Sequence, residues 1–310
     1  MVVSIKNLVK RYGSLVAVDH LDLQIEEGEI YGLLGPNGSG KTTTINCILS
    51  LLKYDKGEIT IFDKEMSPSS YDIKKDIGVI FQNVAVFEEL SVYENIHYFC
   101  SLYKQDKKEI KTLTEEAIRF VSLEDYKNFK PKKLSGGLLR RLNIACGIVH
   151  KPKLVILDEP TVAVDPQSRN KILEGIKQLN KEGATIIYTS HYMEEVEQIC
   201  SMIGIMDKGK IIAEGTKDEL KNLISMGEKI RIEVYNITDE QIEKIKEISN
   251  IYSVKHENNF LIIKSTKGKN TLINILEHLG ENDIPFGEIV AEPPTLNDVF
   301  LEITGKELRD

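Results

Sequence analysis

Apolar and polar positions in the first two thirds of the chain follow two kinds of spacing. Short apolar runs predict buried strands, and longer stretches with apolar positions three or four residues apart predict helices. We expect strands at residues 30–34, 154–157 and 186–189 and helices at 42–52 and 166–179. Such an alternation is typical of an α/β domain with a largely parallel sheet.

Between these segments lies a stretch of different character, at about residues 83–150. It has helical spacing, is rich in Lys and Glu, and contains few strand patterns. We interpret it as a helical subdomain inserted into the α/β core, next to an antiparallel β portion.

The pattern changes again near residue 225. Ile230, Ile232 and Val234 alternate with charged residues as in a strand, and Asn258-Asn259 predicts the turn of a hairpin. Together with two amphipathic helices, the order is β-α-β-β-α-β, which predicts a small ferredoxin-like α+β domain. The sequence therefore predicts two domains, at residues 1–225 and 226–310.

Composition narrows the possible classes of protein. The 310 residues, 41% hydrophobic and 28% charged with a mean hydropathy of −0.20, are ordinary for a globular protein. No apolar run is long enough to cross a bilayer and the N-terminus lacks a signal-peptide pattern, so we expect the chain in the cytoplasm. The net charge of −8 argues against nucleic acid as a partner. The four cysteines are scattered and are expected to be reduced thiols.

The strongest local motif lies between the first predicted strand and the first predicted helix. Glycines there allow backbone N–H groups to converge on phosphate oxygens, and the helix N-terminus adds positive potential. Lys41 can reach the β- and γ-phosphates of a nucleotide, and the Thr42 hydroxyl can coordinate Mg²⁺. The motif fits the P-loop pattern and consists of Gly35, Pro36, Asn37, Gly38, Ser39, Gly40, Lys41 and Thr42.

The apolar strand at residues 154–157 ends in two adjacent carboxylates, Asp158 and Glu159. Burying carboxylates is costly without cations or hydrogen-bond donors, so a functional role is favoured over a solvated strand end. We interpret Asp158 as part of the Mg²⁺ shell and Glu159 as the group that polarises the attacking water.

A third motif, Ser135-Gly136-Gly137, opens a predicted helix. A serine hydroxyl and the free N–H groups of a helix start form a second phosphate-binding end. In isolation the pattern is weak, and its position shortly before the Asp158-Glu159 strand makes it informative.

Together these motifs, in this order, resemble the nucleotide-binding subunit of an ABC transporter over residues 1 to about 225. The resemblance implies a P-loop NTPase fold, ATP and Mg²⁺ as ligands, and ATP hydrolysis. It implies catalytic roles for Lys41, Gln82, Glu159 and His191. Mg²⁺ would be held by Thr42, Gln82 and Asp158. Nucleotide-contacting roles are implied for Tyr12, Thr43, Ser135, Gly136, Gly137 and Asp165, besides the P-loop.

The sequence departs from the family pattern at two positions. Leu138 stands where the signature usually has Gln, which affects a peripheral polar contact. Ala163 stands where Gly is common before Asp165, which is expected to stiffen that loop slightly.

The segment at residues 292–301 is similar to the tail of the drug-resistance branch of ABC ATPases. That branch pairs with separate membrane subunits. The resemblance implies a dimer of two copies bridged by ATP, a multi-span permease on another chain, and a peripheral position on the cytoplasmic face of the membrane. Export is implied by this tail alone.

Two alternatives remain open at this point. One is a soluble ABC-type ATP switch that is not coupled to transport. The other concerns the C-terminal domain, which is either a ligand-sensing module or an appendage that stabilises the dimer.

Overall fold

The computed structural model describes residues 1–268 and 270–305, which divide into two compact units. The first comprises Met1–Lys217 and the second begins at Asp218. The sequence prediction set this boundary at residue 225. The second unit begins earlier because Lys267 holds the segment before residue 225. Its N–H donates to the Ser225 carbonyl and its Nζ to the Asn222 carbonyl, both at 2.9 Å.

The first unit is built from alternating strands and helices. Its strands are β1 (Val3–Tyr12), β2 (Leu15–Ile25), β3 (Ile30–Leu34), β4 (Lys56–Ile61), β5 (Lys64–Glu65), β6 (Ile77–Ile80), β7 (Leu154–Asp158), β8 (Thr185–Ser190), β9 (Met202–Asp207) and β10 (Lys210–Gly215). Its helices are α1 (Lys41–Ile48), α2 (Tyr71–Lys74), α3 (Val92–Ser101), α4 (Lys107–Phe120), α5 (Gly136–Ile148), α6 (Pro166–Lys181) and α7 (Met193–Ile199). The chain then passes into the second unit through α8 (Lys217–Leu223).

Two sheets form this unit. The larger has the order β10-β9-β3-β8-β7-β6, in which only the β10–β9 pair is antiparallel. The smaller is antiparallel, with the order β2-β1-β4-β5. The predicted α/β fold with a mostly parallel sheet and an antiparallel portion is therefore confirmed. Since β3, β8, β7 and β6 are parallel neighbours, the loops after their carboxyl ends meet at one edge of the sheet.

Helices α3, α4 and α5 form the helical subdomain. They share a core of their own, separate from that of the sheets, and two short 3₁₀ turns connect α4 to α5. Its fully buried members include Val92, Ile96, Cys100, Leu142 and Ala145.

Helix α1 ends earlier than the sequence spacing predicted. It stops at Ile48 rather than at residue 52, because Ser50 adopts the left-handed region with a φ of 53°. The N–H groups of Leu51 and Leu52 then turn back to the Asn46 carbonyl.

The second unit contains β11 (Met226–Val234), α9 (Asp239–Lys246), β12 (Ile251–Glu257), β13 (Phe260–Thr266), α10 (Thr271–Glu281), β14 (Phe286–Glu292) and α11 (Leu296–Thr304). All strand pairs are antiparallel, in the order β12-β13-β11-β14. That order is the one a ferredoxin-like domain has, so the predicted topology is confirmed. Asn258 and Asn259 both have positive φ, as the predicted hairpin turn requires.

Two expectations from composition can be compared with the described residues. Within residues 1–268 and 270–305, no helix combines the length and apolar character that crossing a bilayer needs. The cysteines are free thiols; Cys47, Cys100 and Cys146 are buried and Cys200 is half-buried.

Candidate functional site

The P-loop between β3 and α1 has a backbone that needs glycine. Gly38 and Gly40 have φ values of 80° and 112°, and a Cβ on Gly35 would lie 2.2 Å from the Met206 carbonyl oxygen. Gly40 also precedes α1 without a side-chain cap, so no side chain occupies the N–H groups of the first turn. This loop and helix start therefore present backbone donors to an anion.

Lys41 is buried at this loop, with only 4% of its side chain exposed. Its Nζ donates to the Gly35 carbonyl at 2.8 Å and to the Pro36 carbonyl at 3.3 Å. Burial lowers the pKa of Lys41, and the Glu159 and Asp158 carboxylates oppose that shift. The ammonium group is thus held in place by neutral carbonyls and balanced by acidic neighbours.

The Glu159 carboxylate is the point at which the predicted catalytic residues converge. Lys41 Nζ lies 3.4 Å from Oε1, and the Gln82 amide donates to Oε2 at 3.3 Å. His191 Nδ1 lies 3.5 Å from the same Oε2. Each of these residues follows the carboxyl end of a different strand of the parallel sheet, so the sheet order itself assembles the group.

Asp158 lies one residue earlier and is held by a different partner. The Thr189 hydroxyl donates to Asp158 Oδ1 at 2.7 Å and accepts from the Glu159 N–H at 3.0 Å. A single threonine on β8 therefore fixes both acidic residues at the end of β7.

A cavity of about 420 Å³ opens in front of this group. Among its lining residues, Lys208 and Gly209 were not predicted from the sequence. The predicted residues that line it are Tyr12, Asn37, Gly38, Gly40, Lys41, Thr42, Thr43, Gln82 and Glu159.

The residues around the cavity fit a nucleotide phosphate and Mg²⁺. The Ser39 hydroxyl is buried and has no hydrogen-bond partner, so a donor is available within the P-loop. Thr42 and Gln82 lie on the cavity wall, and Asp158 adds a buried carboxylate at the end of β7. Hydroxyl, amide and carboxylate oxygens are the ligands that Mg²⁺ prefers.

The predicted signature residues are not among those that line this cavity. Ser135 caps α5 by accepting from the Leu138 N–H at 3.3 Å. Gly137 lies against the loop before α6: a Cβ there would be 2.3 Å from Ser168 Oγ and 2.9 Å from Asp165 Oδ2. The structure therefore groups Ser135, Gly136 and Gly137 with Asp165, and their nucleotide-contacting roles stay predictions.

Both departures from the family pattern have local structural consequences. Leu138 packs against the core of the helical subdomain, so an apolar side chain suits that position. Ala163 adopts a φ of 58° before Asp165. An L-residue in that region costs roughly 1–2 kcal/mol, which a glycine would avoid.

Sequence reasoning missed Glu195, a buried residue on α7 with 3% of its side chain exposed. Its Oε2 accepts from the hydroxyls of Thr161, Tyr188 and Ser190, at 2.8, 2.6 and 3.1 Å. Its Oε1 lies 3.3 Å from Arg169 Nε. Thr161 follows Glu159 by two residues and Ser190 precedes His191, so Glu195 ties together the loops that carry both. A glutamate within an amphipathic helix gave no sequence signal of this role.

We predict that Glu195→Ala lowers the free energy of unfolding by about 2–4 kcal/mol, because three buried hydroxyls lose their acceptor and Arg169 its partner. Glu195→Gln should cost less, since a carboxamide oxygen still accepts from hydroxyls. Urea unfolding followed by circular dichroism measures both. Glu194→Ala, at an exposed position on the same helix, is the control and should stay within about 0.5 kcal/mol of the wild type. Equal effects at the two positions would contradict the assignment.

Comparison with known sequence families gives two matches along the chain. Residues 18–162 match the family described as ABC transporter. Residues 215–304 match the family described as the C-terminal domain of ATP-binding proteins like DrrA1-3.

Two relatives are similar over nearly their whole length. The linearmycin resistance ATP-binding protein LnrL of Bacillus subtilis (strain 168) is 38% identical over 98% of this chain and 99% of its own. The Nod factor export ATP-binding protein I of Cupriavidus metallidurans (strain ATCC 43123 / DSM 2839 / NBRC 102507 / CH34) is 31% identical over 100% and 99%.

A solved structure resembles the first unit. The dimeric post-hydrolysis state of the ATP-binding cassette MJ0796, bound to ADP and Pi, superposes with a TM-score of 0.63 and 29% identity. The match covers 69% of this chain and 98% of the cassette. The predicted transport subunit is therefore confirmed over the soluble switch that the sequence left open. The chain belongs to the ABC transporter family and is an ATP-binding subunit that hydrolyses ATP to drive transport, followed by a DrrA-like C-terminal domain.

Proposed function

We propose that Glu159 is the general base of ATP hydrolysis, with Lys41, Gln82 and His191 as its catalytic partners. The single observation that carries this proposal is the convergence of these side chains on the Glu159 carboxylate at the wall of the cavity. Lys41 binds the β- and γ-phosphates from one side. Glu159 takes the proton of the attacking water, and Gln82 and His191 orient that water and the γ-phosphate.

Thr42, Gln82 and Asp158 would hold Mg²⁺. When bound, it neutralises charge on the phosphate oxygens. Tyr12, which is half exposed at the cavity, stacks on the adenine ring in this proposal. The Ser39 hydroxyl donates to a phosphate oxygen.

A second copy of the chain completes the site. Ser135 and the N–H groups of Gly136 and Gly137 do not line the cavity of their own subunit. At the start of α5 they form an anion-binding end. We infer that they close the ATP site of the partner copy, with Asp165 at the interface, so that ATP bridges two subunits.

The partner that ATP hydrolysis drives is a multi-span membrane protein on another chain. This pairing places the subunit on the cytoplasmic face of the membrane. The loop after Gln82 supports a docking role. Phe87 is 44% exposed and stacks edge-on against Tyr98, which is 42% exposed. The buried Asn95 amide fixes this loop by bonding both backbone groups of Phe87. Exposed aromatic side chains on an anchored loop are typical of interface anchors.

The names of the relatives support a direction of transport and a class of cargo. One is named for resistance to linearmycin and the other for Nod factor export. We therefore propose export of an antibiotic or lipid-like compound.

We predict that Glu159→Gln retains ATP binding, hydrolyses ATP about 10²- to 10⁴-fold more slowly, and accumulates as an ATP-bound dimer, because only the proton acceptor is lost. Phosphate release and light scattering during gel filtration measure the two effects. Glu194→Gln is the matched control. Turnover at the wild-type rate by the Glu159 variant would remove this residue from its role.

Lys41→Ala should weaken ATP binding by about 10- to 150-fold, because a charge-assisted hydrogen bond contributes roughly 1.5–3 kcal/mol. Titration calorimetry with ATP and Mg²⁺ measures the dissociation constant. Lys56→Ala, at an exposed lysine on β4, is the control. Unchanged affinity in the Lys41 variant would count against the P-loop assignment.

Phe87→Asp should reduce recovery of a multi-span protein with the tagged chain from detergent-solubilised membranes by about tenfold or more, because an interface anchor is lost. Tyr71→Asp changes an aromatic residue that is 75% exposed outside this loop and is the control. Melting temperatures of both variants establish that they fold. Equal recovery with both variants would locate docking elsewhere.

A further inference from the structure

Arg140 is a buried guanidinium that the proposed reaction does not use. It lies on α5 with 4% of its side chain exposed. One terminal nitrogen donates to the Phe81 carbonyl at 2.9 Å, and the other donates to the Glu159 carbonyl at 3.0 Å. Burial lowers the pKa of Arg140 and the nearby Asp158 carboxylate opposes this, but a guanidinium stays charged in proteins. A charge kept in the interior for two neutral acceptors points to a positional role.

Of the two carbonyls that Arg140 bonds, that of Phe81 belongs to the residue before Gln82. The other belongs to Glu159 itself. Glu159 has a φ of 48°, a left-handed conformation that is uncommon for a residue with a side chain. Its N–H is held by Thr189 and its carbonyl by Arg140. These two hydrogen bonds, one at each end of the residue, hold the strained backbone that aims the carboxylate at Lys41.

The same helix begins at the proposed anion-binding end. Arg140 follows Ser135 by five residues, which is roughly 7.5 Å along an α-helix. A displacement of the start of α5 therefore reaches the Phe81 and Glu159 carbonyls through less than two turns of rigid helix.

We propose that Arg140 is a positioning residue that couples the start of α5 to Gln82 and Glu159 of the same subunit. The proposal rests on the ATP-bridged dimer of the proposed function. Ser135 closes the partner's site, whereas Glu159 serves its own. Arg140 thus lets each site of the dimer respond to nucleotide in the other.

The neighbouring Arg141 provides a matched control. It lies on the same helix and also bridges two backbone carbonyls, those of Val121 and Ser122 at 2.8 and 3.2 Å. Those acceptors belong to the helical subdomain and not to the cavity. A loss of packing alone would therefore affect both arginines, and a positioning role affects only Arg140.

The test compares Arg140→Lys with Arg141→Lys in the full chain. A lysine keeps the charge but loses the planar fork that spans two acceptors. We expect Arg140→Lys to lower kcat by about 10- to 100-fold, as small misplacements of catalytic groups do. Its dissociation constant for ATP in the monomer should stay within about twofold of the wild-type value. The Hill coefficient of its ATP hydrolysis should fall from near 2 towards 1. Arg141→Lys should keep kcat and the Hill coefficient near wild type, whatever its melting temperature.

Three results would overturn the proposal: equal losses of kcat in the two variants, a preserved Hill coefficient in Arg140→Lys, or an effect confined to ATP affinity. Arg140→Gln, which keeps one amide donor, serves as a second variant. Its kcat should lie between those of the wild type and Arg140→Lys. Failure of both Arg140 variants to fold beside a folded Arg141→Lys would make Arg140 a folding residue and overturn the coupling role.

The dimer itself is tested separately. A wild-type Hill coefficient near 1 with Glu159→Gln still dimerising in ATP would overturn the coupling alone. Absence of that dimer would instead refute the proposed function.

Discussion

The buried Glu159 carboxylate is the constraint on which the rest of the site depends. It is 7% exposed, and a carboxylate taken out of water costs several kcal/mol unless cations and donors replace the lost hydration. Lys41 and Gln82 provide that replacement, and His191 Nδ1 lies 3.5 Å from the same carboxylate. The groups that stabilise the acid are therefore groups that the proposed reaction uses. A phosphate that binds Lys41 changes the environment of Glu159 at once, because the ammonium group is shared.

The parallel sheet makes this convergence possible. The P-loop, Gln82, Glu159 and His191 follow β3, β6, β7 and β8, which are adjacent parallel strands. Strand register fixes the distances between loops that are far apart in the sequence. Backbone geometry within these loops also contributes, since Gly40 and Glu159 both have positive φ. Gly40 has no Cβ, and Glu159 is held by hydrogen bonds at both ends.

Much of this fold and site could be predicted from the sequence, for a physical reason. The P-loop and the Asp158-Glu159 pair are local patterns whose flanking strand and helix are also local, and the Asn258-Asn259 turn is fixed by its own backbone preference. Glu195 and Arg140 could not be predicted, because their meaning comes from partners 5 to 59 residues away. The end of α1 was wrong because apolar spacing continues past Ser50, where the backbone turns.

The glycines of the Ser135 motif carry two requirements at once. In the proposed dimer, a phosphate from a second subunit needs close approach to the N–H groups, and Gly137 also has to leave room for Ser168 and Asp165 of its own chain. Leu138 then faces the apolar core of the helical subdomain. The motif thus packs α5 against the loop that holds Asp165 and, in the proposed dimer, also forms an anion-binding end. The next buried polar side chain along α5 is Arg140, which bonds the Phe81 and Glu159 carbonyls, so the proposed coupling needs no element other than this helix.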